Sequence, residues 1–143
     1  QIQKRFYGNE KIKVFNFGFS SDDDLKNIFI DRDSSSIFGG DSNFPHSSDL
    51  PNPEEKIQLK NFNEYIKIFP CIDLVKINAE GVEYEIMESI DVENIKKIKN
   101  IQIQFHTFIP DCKNRRNKII EKLLHTHIRT YNYDFVWENW KLK

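Results

Sequence analysis

Ile-Asp-Leu-Val-Lys-Ile at residues 72–77 is a short, mostly apolar run, and it decides the fold class of the sequence. Such a run is typical of a strand that is buried on both faces in a parallel sheet. Residues 86–90 then carry apolar side chains at helical spacing, and residues 101–106, Ile-Gln-Ile-Gln-Phe-His, alternate with a period of two. A strand, a helix and a strand in this order predict a βαβ unit, whose strands are parallel neighbours joined by a right-handed crossover.

Further periodic segments surround this unit. Residues 11–19 carry Ile and Val on one face and Phe on the other, which predicts a strand with two apolar faces. Weaker patterns predict strands at 25–30 and 55–59, helices at 61–69 and 119–124, and a hairpin at 129–141 with its turn near 132–134. Residues 31–53, rich in Ser, Gly, Asp and Pro, predict a long loop or a pair of short edge strands. We therefore expect an α/β fold with a mostly parallel sheet and an antiparallel C-terminal hairpin.

The composition and net charge of the sequence argue against several classes of protein. The 143 residues suit a single domain, and 21 Lys and Arg against 22 Asp and Glu give a net charge of -1. This balance argues against a dedicated nucleic-acid binder, whose domain is normally basic. No stretch approaches the roughly 18 apolar residues of a membrane span, and no signal peptide is visible after Gln1. The two cysteines, Cys71 and Cys112, are expected to be free thiols of a cytoplasmic protein.

Polar residues follow the ends of the predicted parallel strands, where open α/β sheets bind their ligands. An amide and a carboxylate there can orient a polar ligand or accept a proton, and a glycine allows close backbone approach. The residues at this edge are Asn78, Glu80, Gly81 and His106, joined by Gly18 and Ser20 if residues 11–19 are also parallel. Two structural alternatives stay open: Glu80 and Glu83 also favour a helix start, and His106 also suits a hydrogen-bonded structural histidine.

Other motifs carry less chemical information. His125 and His127 lack a third ligand nearby, so no metal site is predicted. Cys112 lies beside Lys113, which can lower a thiol pKa, although a lone thiol at such a place is more often incidental. The basic clusters are interpreted as solvated helix faces, and they comprise Lys96, Lys97 and Lys99 with Arg115, Arg116 and Lys118.

Residues 73–87, Asp-Leu-Val-Lys-Ile-Asn-Ala-Glu-Gly-Val-Glu-Tyr-Glu-Ile-Met, resemble the signature D-L-x-K-I-D-x-E-G-x-E of the FkbM family of methyltransferases. The resemblance continues through residues 101–106, similar to the family's strand ending in E/Q-F-H, and through residues 126–140. The sequence departs from the family in two ways: Asn78 stands in place of the usual Asp, and a Gly-rich loop of the form D/E-x-G-x-N-x-G is absent. The chain thus resembles the C-terminal two thirds of one methyltransferase domain, truncated before its first strands.

The resemblance implies a Rossmann-like class I methyltransferase sheet and methyl transfer from S-adenosyl-L-methionine to a hydroxyl on a sugar or small natural product. It makes Glu80 the first candidate for acceptor orientation or proton acceptance, His106 the second, and Asn78 a residue near the donor's methionine end or the acceptor. The cofactor-binding candidates are Asn78, Gly81, Gly18, Ser20 and Asp22. Because the Gly-rich loop is absent, we expect these 143 residues alone to bind the donor weakly.

Two further functions stay open at this point. A truncated, non-catalytic remnant can persist as a binding or assembly module. An RNA-binding module that uses the basic and aromatic C-terminus predicts steeply salt-dependent binding, and the near-neutral charge argues against it. We therefore expect a small-molecule or saccharide acceptor, no nucleic-acid partner and no membrane association.

Overall fold

A computed structural model describes residues 2–29, 37–38 and 54–143 of the chain. Most of the predicted loop at residues 31–53 therefore lies outside the described residues. Helices α1 to α5 span Ile2–Arg5, Phe62–Ile66, Glu83–Ser89, Val92–Ile95 and Cys112–Leu124. Strands β1 to β7 span Gly18–Ser20, Asp24–Phe29, Glu54–Asn61, Val75–Ile77, Asn100–Ile103, His127–Tyr133 and Trp137–Leu142. None of the helices in this described part is long and apolar enough to cross a membrane.

The strands form two sheets, and the second contains the predicted βαβ unit. The first sheet has the strand order β1-β3-β2, and the second has the order β4-β5-β7-β6. Strands β4 and β5 pair in parallel, with Val75 opposite Ile101 and Ile77 opposite Ile103. Helices α3 and α4 lie between these strands in the chain. The prediction that the two strands are parallel neighbours is therefore confirmed.

The prediction of a mostly parallel sheet is wrong. Among the described strands, β1–β3 and β4–β5 are parallel, whereas β2–β3, β5–β7 and β6–β7 are antiparallel. For the β6–β7 pair the reason is connection length, because a parallel return needs a crossover of about a dozen residues or more. Strands β6 and β7 are joined by residues 134–136 alone, which permits only an antiparallel hairpin. The C-terminal hairpin is confirmed, and its pairing shifts register between Arg129 and Tyr131.

Residues 11–19 do not form the predicted buried strand. Only Gly18–Ser20 is a strand, and Phe15 keeps 55% of its surface exposed. No described strand pairs with the residues before Gly18 in this segment. Instead, the rings of Phe17 and Phe19 pack against Tyr65 of α2, with centroid distances of 5.7 Å and 4.9 Å. The Phe alternation therefore reflects ring packing on a helix and not insertion between two layers.

The hydrophobic core joins the second sheet to helices α3 and α5. Burying each large apolar side chain stabilises the fold by roughly 1.5–3 kcal/mol, so this layer contact fixes the sheet. The buried side chains of the contact include Ile77, Ile101, Ile103 and Trp140 from the sheet, Tyr84 and Met87 from α3, and Ile119 and Leu123 from α5. As a result, β4 and β5 are rigidly placed, and so are the segments that follow their ends.

Helix α5 also buries a charge that the sequence analysis placed on a solvated face. Arg116 is only 8% exposed, so that prediction is wrong for this residue. Its Nε donates to Glu138 Oε1 at 2.6 Å, and the Trp140 indole donates to Glu138 Oε2 at 3.1 Å. A guanidinium tolerates burial when a carboxylate pairs with it and further hydrogen bonds satisfy that carboxylate.

Candidate active site

The ends of β4 and β5 bring two of the predicted site residues together. The strands end at Ile77 and Ile103, and the Gln104 N–H extends their pairing by donating to the Ile77 carbonyl at 3.0 Å. Beyond these ends, His106 Nε2 lies 3.4 Å from Glu80 Oε2. Asn78, directly after β4, is exposed. The contact between Glu80 and His106 thus joins two loops that are adjacent only because β4 and β5 are parallel.

The turn that carries Glu80 has an uncommon backbone. Glu80 has a φ of 45° and Gly81 a φ of 102°, so two consecutive residues adopt positive φ. A side chain at position 81 has no room, because a Cβ there would lie 2.5 Å from Ile109 Cδ1 and 2.9 Å from Phe38 Cε2. Non-glycine residues held at positive φ cost about 1–3 kcal/mol and cluster at functional sites. Close packing and positive φ thus both favour glycine at position 81, and the surrounding structure holds Glu80 in its strained conformation.

Glu83, at the start of α3, lies fully buried behind this turn. Its Oε2 accepts a hydrogen bond from the Gly81 N–H at 2.8 Å. Its Oε1 accepts from the His106 N–H at 2.8 Å and lies 3.1 Å from His106 Nδ1. A buried carboxylate is stable only when hydrogen-bonded, and here a backbone N–H from each of the two loops donates to it. We call Glu80, Glu83 and His106 the glutamate–histidine cluster.

The surroundings of His106 shift its protonation. Burial by itself lowers the pKa of the imidazole, but the hydrogen bond to Glu83 and the negative charges of Glu83 and Glu80 outweigh burial and raise the pKa. The side chain is 13% exposed, so one edge of the ring reaches solvent. The Tyr84 hydroxyl donates to the His106 carbonyl at 2.8 Å and fixes the backbone. An imidazole that keeps contact with solvent can act as a general acid or base.

Of the other predicted cofactor-binding residues, Gly18 and Ser20 lie in β1 of the first sheet, and Asp22 lies between β1 and β2. Ser20 of β1 is 2% exposed, and its hydroxyl donates to Glu85 Oε2 at 3.0 Å. Gly18 packs so closely on β3 that a Cβ would lie 2.8 Å from Leu59 Cδ2. Asp22 is exposed and accepts a hydrogen bond from the Ser21 hydroxyl. Ser20 and Gly18 therefore make internal contacts, and Asp22 presents a carboxylate to solvent.

The remaining histidine motif is structural. His127 is fully buried, with Nε2 at 2.8 Å from the Ile98 carbonyl and Nδ1 at 2.7 Å from the Thr126 hydroxyl. Burial lowers the pKa of His127, which favours the neutral ring despite the carbonyl contact. The described residues contain no group of three or more His, Cys, Asp or Glu side chains that could hold a metal ion. Cys71 and Cys112 are both free, as predicted.

Reasoning from the sequence did not select Glu83 as a site residue. Its position in the first turn of a helix offered a sufficient explanation for a carboxylate. The signal that could have identified it is the spacing Glu80-Gly81-Val82-Glu83, which matches E-G-x-E, the last four positions of the family signature at residues 73–83. The buried contacts of Glu83 with a residue 23 positions later are visible only in the fold.

Comparison with known proteins identifies the family. The sequence matches the Methyltransferase FkbM domain over residues 3–135 of its 143 residues. The curated proteins and the solved structures provide no match. The matched range contains both sheets up to the hairpin turn and the whole glutamate–histidine cluster. The chain belongs to the FkbM methyltransferase domain family.

Proposed function

We propose that the protein transfers a methyl group from S-adenosyl-L-methionine to a hydroxyl of a saccharide or another small molecule. Membership of the FkbM domain family supports methyl transfer. The observation that carries the proposal is the contact of Glu80 with His106, just past the ends of two neighbouring parallel strands. Open α/β sheets bind ligands at this edge. The parallel β4–β5 pair next to an antiparallel hairpin also supports a Rossmann-like arrangement for the second sheet.

The described residues fit the donor only in part. Of the five cofactor-binding candidates, Asn78 and Asp22 are exposed and can bind a polar ligand with their side chains. Ser20 and Gly18 make the internal contacts given above, and the Gly81 N–H is already bonded to Glu83. We therefore assign no step to the bound donor and derive only what the chain's own residues do with the acceptor.

The glutamate–histidine cluster fits the proton chemistry of a hydroxyl acceptor. Methylation of a hydroxyl releases its proton, and a positioned base with a pKa near neutrality is suited to take it. Glu80 and His106 both face the same edge, and their separation of 3.4 Å lets one hydroxyl contact both. Glu80 then orients the acceptor or takes the proton, and His106 serves in the complementary role. Removal of one such group typically lowers turnover by about 10²–10⁴-fold.

We propose further that the protein acts in the cytoplasm. Two unpaired cysteines support this location, because an exposed thiol such as Cys71 persists in a reducing compartment.

A neutral saccharide or small natural product suits a site whose described charges are two carboxylates and one histidine.

Incubation with methyl-labelled S-adenosyl-L-methionine and a panel of hydroxylated acceptors tests the function. We expect label transfer by the protein and a loss of turnover of about 10²-fold in Glu80→Gln and in His106→Gln. Glu93→Gln is the matched control, since Glu93 lies on α4 with 81% of its side chain exposed. Unchanged turnover in both site variants would exclude this edge as the site. Donor or acceptor binding without any label transfer would favour the non-catalytic binding module.

A further inference from the structure

The hydrogen bonds of Glu83 determine where the proton of His106 resides. A carboxylate only accepts hydrogen bonds, and each of its oxygens must face a donor. Oxygen Oε2 faces the Gly81 N–H, and Oε1 faces both the His106 N–H and Nδ1. If Nδ1 lacked a proton, its lone pair would point from 3.1 Å at Oε1 of the fully buried Glu83. Such an arrangement leaves Nδ1 without a donor and sets its lone pair against a carboxylate oxygen, which is costly.

We propose that Glu83 is a positioning residue that keeps a proton on Nδ1 of His106 and thereby makes Nε2 the atom that accepts the proton of the methyl acceptor. The second half of this statement rests on the proposed function, whereas the first half does not. Neutral histidine carries one ring proton. With that proton on Nδ1, the lone pair lies on Nε2. This nitrogen faces Glu80 at the longer distance of 3.4 Å, and the Glu80 side chain is 22% exposed, whereas the Glu83 side chain near Nδ1 is fully buried.

The same geometry gives Glu80 a role distinct from that of the base. When Nε2 takes a proton, the ring becomes a cation that lies between two carboxylates, Glu83 at 3.1 Å and Glu80 at 3.4 Å. Both stabilise the imidazolium, as a charge partner within about 4 Å does. In the described part of the chain, two uncharged groups also lie close to His106: the Phe108 ring is 5.5 Å from the imidazole, and the Tyr84 hydroxyl bonds the His106 carbonyl. Glu80 therefore orients the acceptor and stabilises the charge, and His106 takes the proton.

Glu83 also holds the ring where this transfer needs it. Because one carboxylate bonds the backbone of Gly81 and of His106, it fixes the distance between the turn after β4 and the loop after β5. Gln at position 83 has nearly the same size but replaces one oxygen with an NH₂ group. One of the three N–H donors then loses its acceptor, and the preference for a proton on Nδ1 is removed.

Nitrogen NMR of the His106 imidazole in the protein tests the first half without any reference to activity. Above the pH at which His106 titrates, we expect the Nδ1 resonance of a protonated nitrogen and the Nε2 resonance of an unprotonated one. Glu83→Gln is expected to shift the ring toward a mixture of tautomers, while Glu93→Gln leaves it unchanged. A neutral ring with its proton on Nε2 in the unsubstituted protein would overturn the proposal. That measurement stands even if Glu83→Gln fails to fold.

The pH profile of methyl transfer tests the second half. We expect Glu83→Gln to lower kcat by about 10²-fold with little change in KM, since the Glu83 side chain is fully buried behind the turn. The rising limb of kcat against pH moves to lower pH in this variant, because a charge that raises the pKa of the base is gone. If kcat falls at every pH but the rising limb of the profile stays at the same pH, Glu83 has only a structural role and the positioning role is overturned. If no methyl transfer occurs in any variant while the tautomer is as expected, the proposed function fails and the Nδ1 assignment stands.

Discussion

Two glutamates are buried in the described part of the chain, and their partners differ in kind. Glu83 is fully buried and Glu138 is 1% exposed. Glu138 is bonded to the guanidinium of Arg116 and to the indole of Trp140, neither of which changes protonation at ordinary pH. Glu83 is bonded to two backbone N–H groups and to an imidazole. The hairpin carboxylate thus belongs to a permanent ion pair, and the carboxylate at the sheet edge belongs to a group that exchanges protons.

The difference in partners shows that a buried carboxylate can serve stability, as Glu138 does, or can contact a group that exchanges protons, as Glu83 does. Asp134 also bonds Arg116, at 2.8 Å, so the hairpin turn adds a second carboxylate to the same cation. The hydrogen bond from Asn132 and the Arg116 cation lower the pKa of Asp134, which keeps this carboxylate charged. At the sheet edge, the second carboxylate is Glu80, and the hydrogen bond to Glu83 together with the charges of Glu83 and Glu80 instead raises the pKa of His106 above its ordinary value.

The largest effect is expected from breaking the permanent pair. Glu138→Gln leaves the buried guanidinium of Arg116 without its main partner, which costs about 3–5 kcal/mol in similar cases. We expect a loss near 3 kcal/mol in the free energy of unfolding from urea titration, because Asp134 still contacts Arg116. The His106 tautomer stays unchanged. A loss as small as that of Glu93→Gln, expected within about 0.5 kcal/mol, would show that the pair contributes little.

The next effect concerns the turn that supports Glu83. Both Gly8 and Gly81 have positive φ, at 82° and 102°, but a Cβ meets nothing within 4 Å at Gly8 and lies 2.5 Å from Ile109 Cδ1 at Gly81. Alanine at either site introduces backbone strain of about 1 kcal/mol. We expect Gly81→Ala to lose a further 1–3 kcal/mol, roughly, from overpacking. Equal losses in thermal unfolding would contradict the close packing of the turn.

The smallest effect is a pH dependence of stability. The raised pKa of His106 means that its charged form stabilises the fold fully below the ordinary value of 6.5, and that this contribution is lost as pH rises through the raised pKa. Unfolding free energies measured from about pH 6 upward should therefore fall more steeply in the protein than in His106→Gln. His127, whose pKa is lowered, contributes the opposite slope to both proteins and cancels in the difference. Parallel curves would refute the coupling of His106 to its two carboxylates.

Local periodicity predicted the elements that are held by apolar contacts. The β4–β5 pair, helix α5 and the C-terminal hairpin follow from spacing alone, because each buries one recognisable apolar face. The prediction of a buried strand before β1 is wrong because it relied on periodicity in the same way. The alternating Phe residues of this segment match a strand pattern, but no described strand pairs with residues 11–17. The rings of Phe17 and Phe19 pack against Tyr65 instead.

The candidate site was predictable only where a strand end supplies the residue. Glu80 and His106 meet because parallel strands end at one edge, and this follows from topology. Glu83 and Arg116 were missed because burial of a charge depends on a partner far along the chain. His106 lies 23 residues from Glu83, and Glu138 lies 22 residues from Arg116. The spacing of residues within one helix does not indicate either partner, His106 or Glu138.

The register shift in β6 affects how readily one copy of the protein can add a strand to the sheet edge of another. Strand β6 ends the order of its sheet in the described part of the chain, and Ile128, Tyr131 and Tyr133 on it are about half exposed. A flat edge with such side chains is a template on which a second chain can add a strand and begin aggregation. The irregularity between Arg129 and Tyr131 interrupts the even row of backbone donors and acceptors that such addition requires. The hairpin that buries Glu138 thereby also protects the protein from edge-to-edge aggregation.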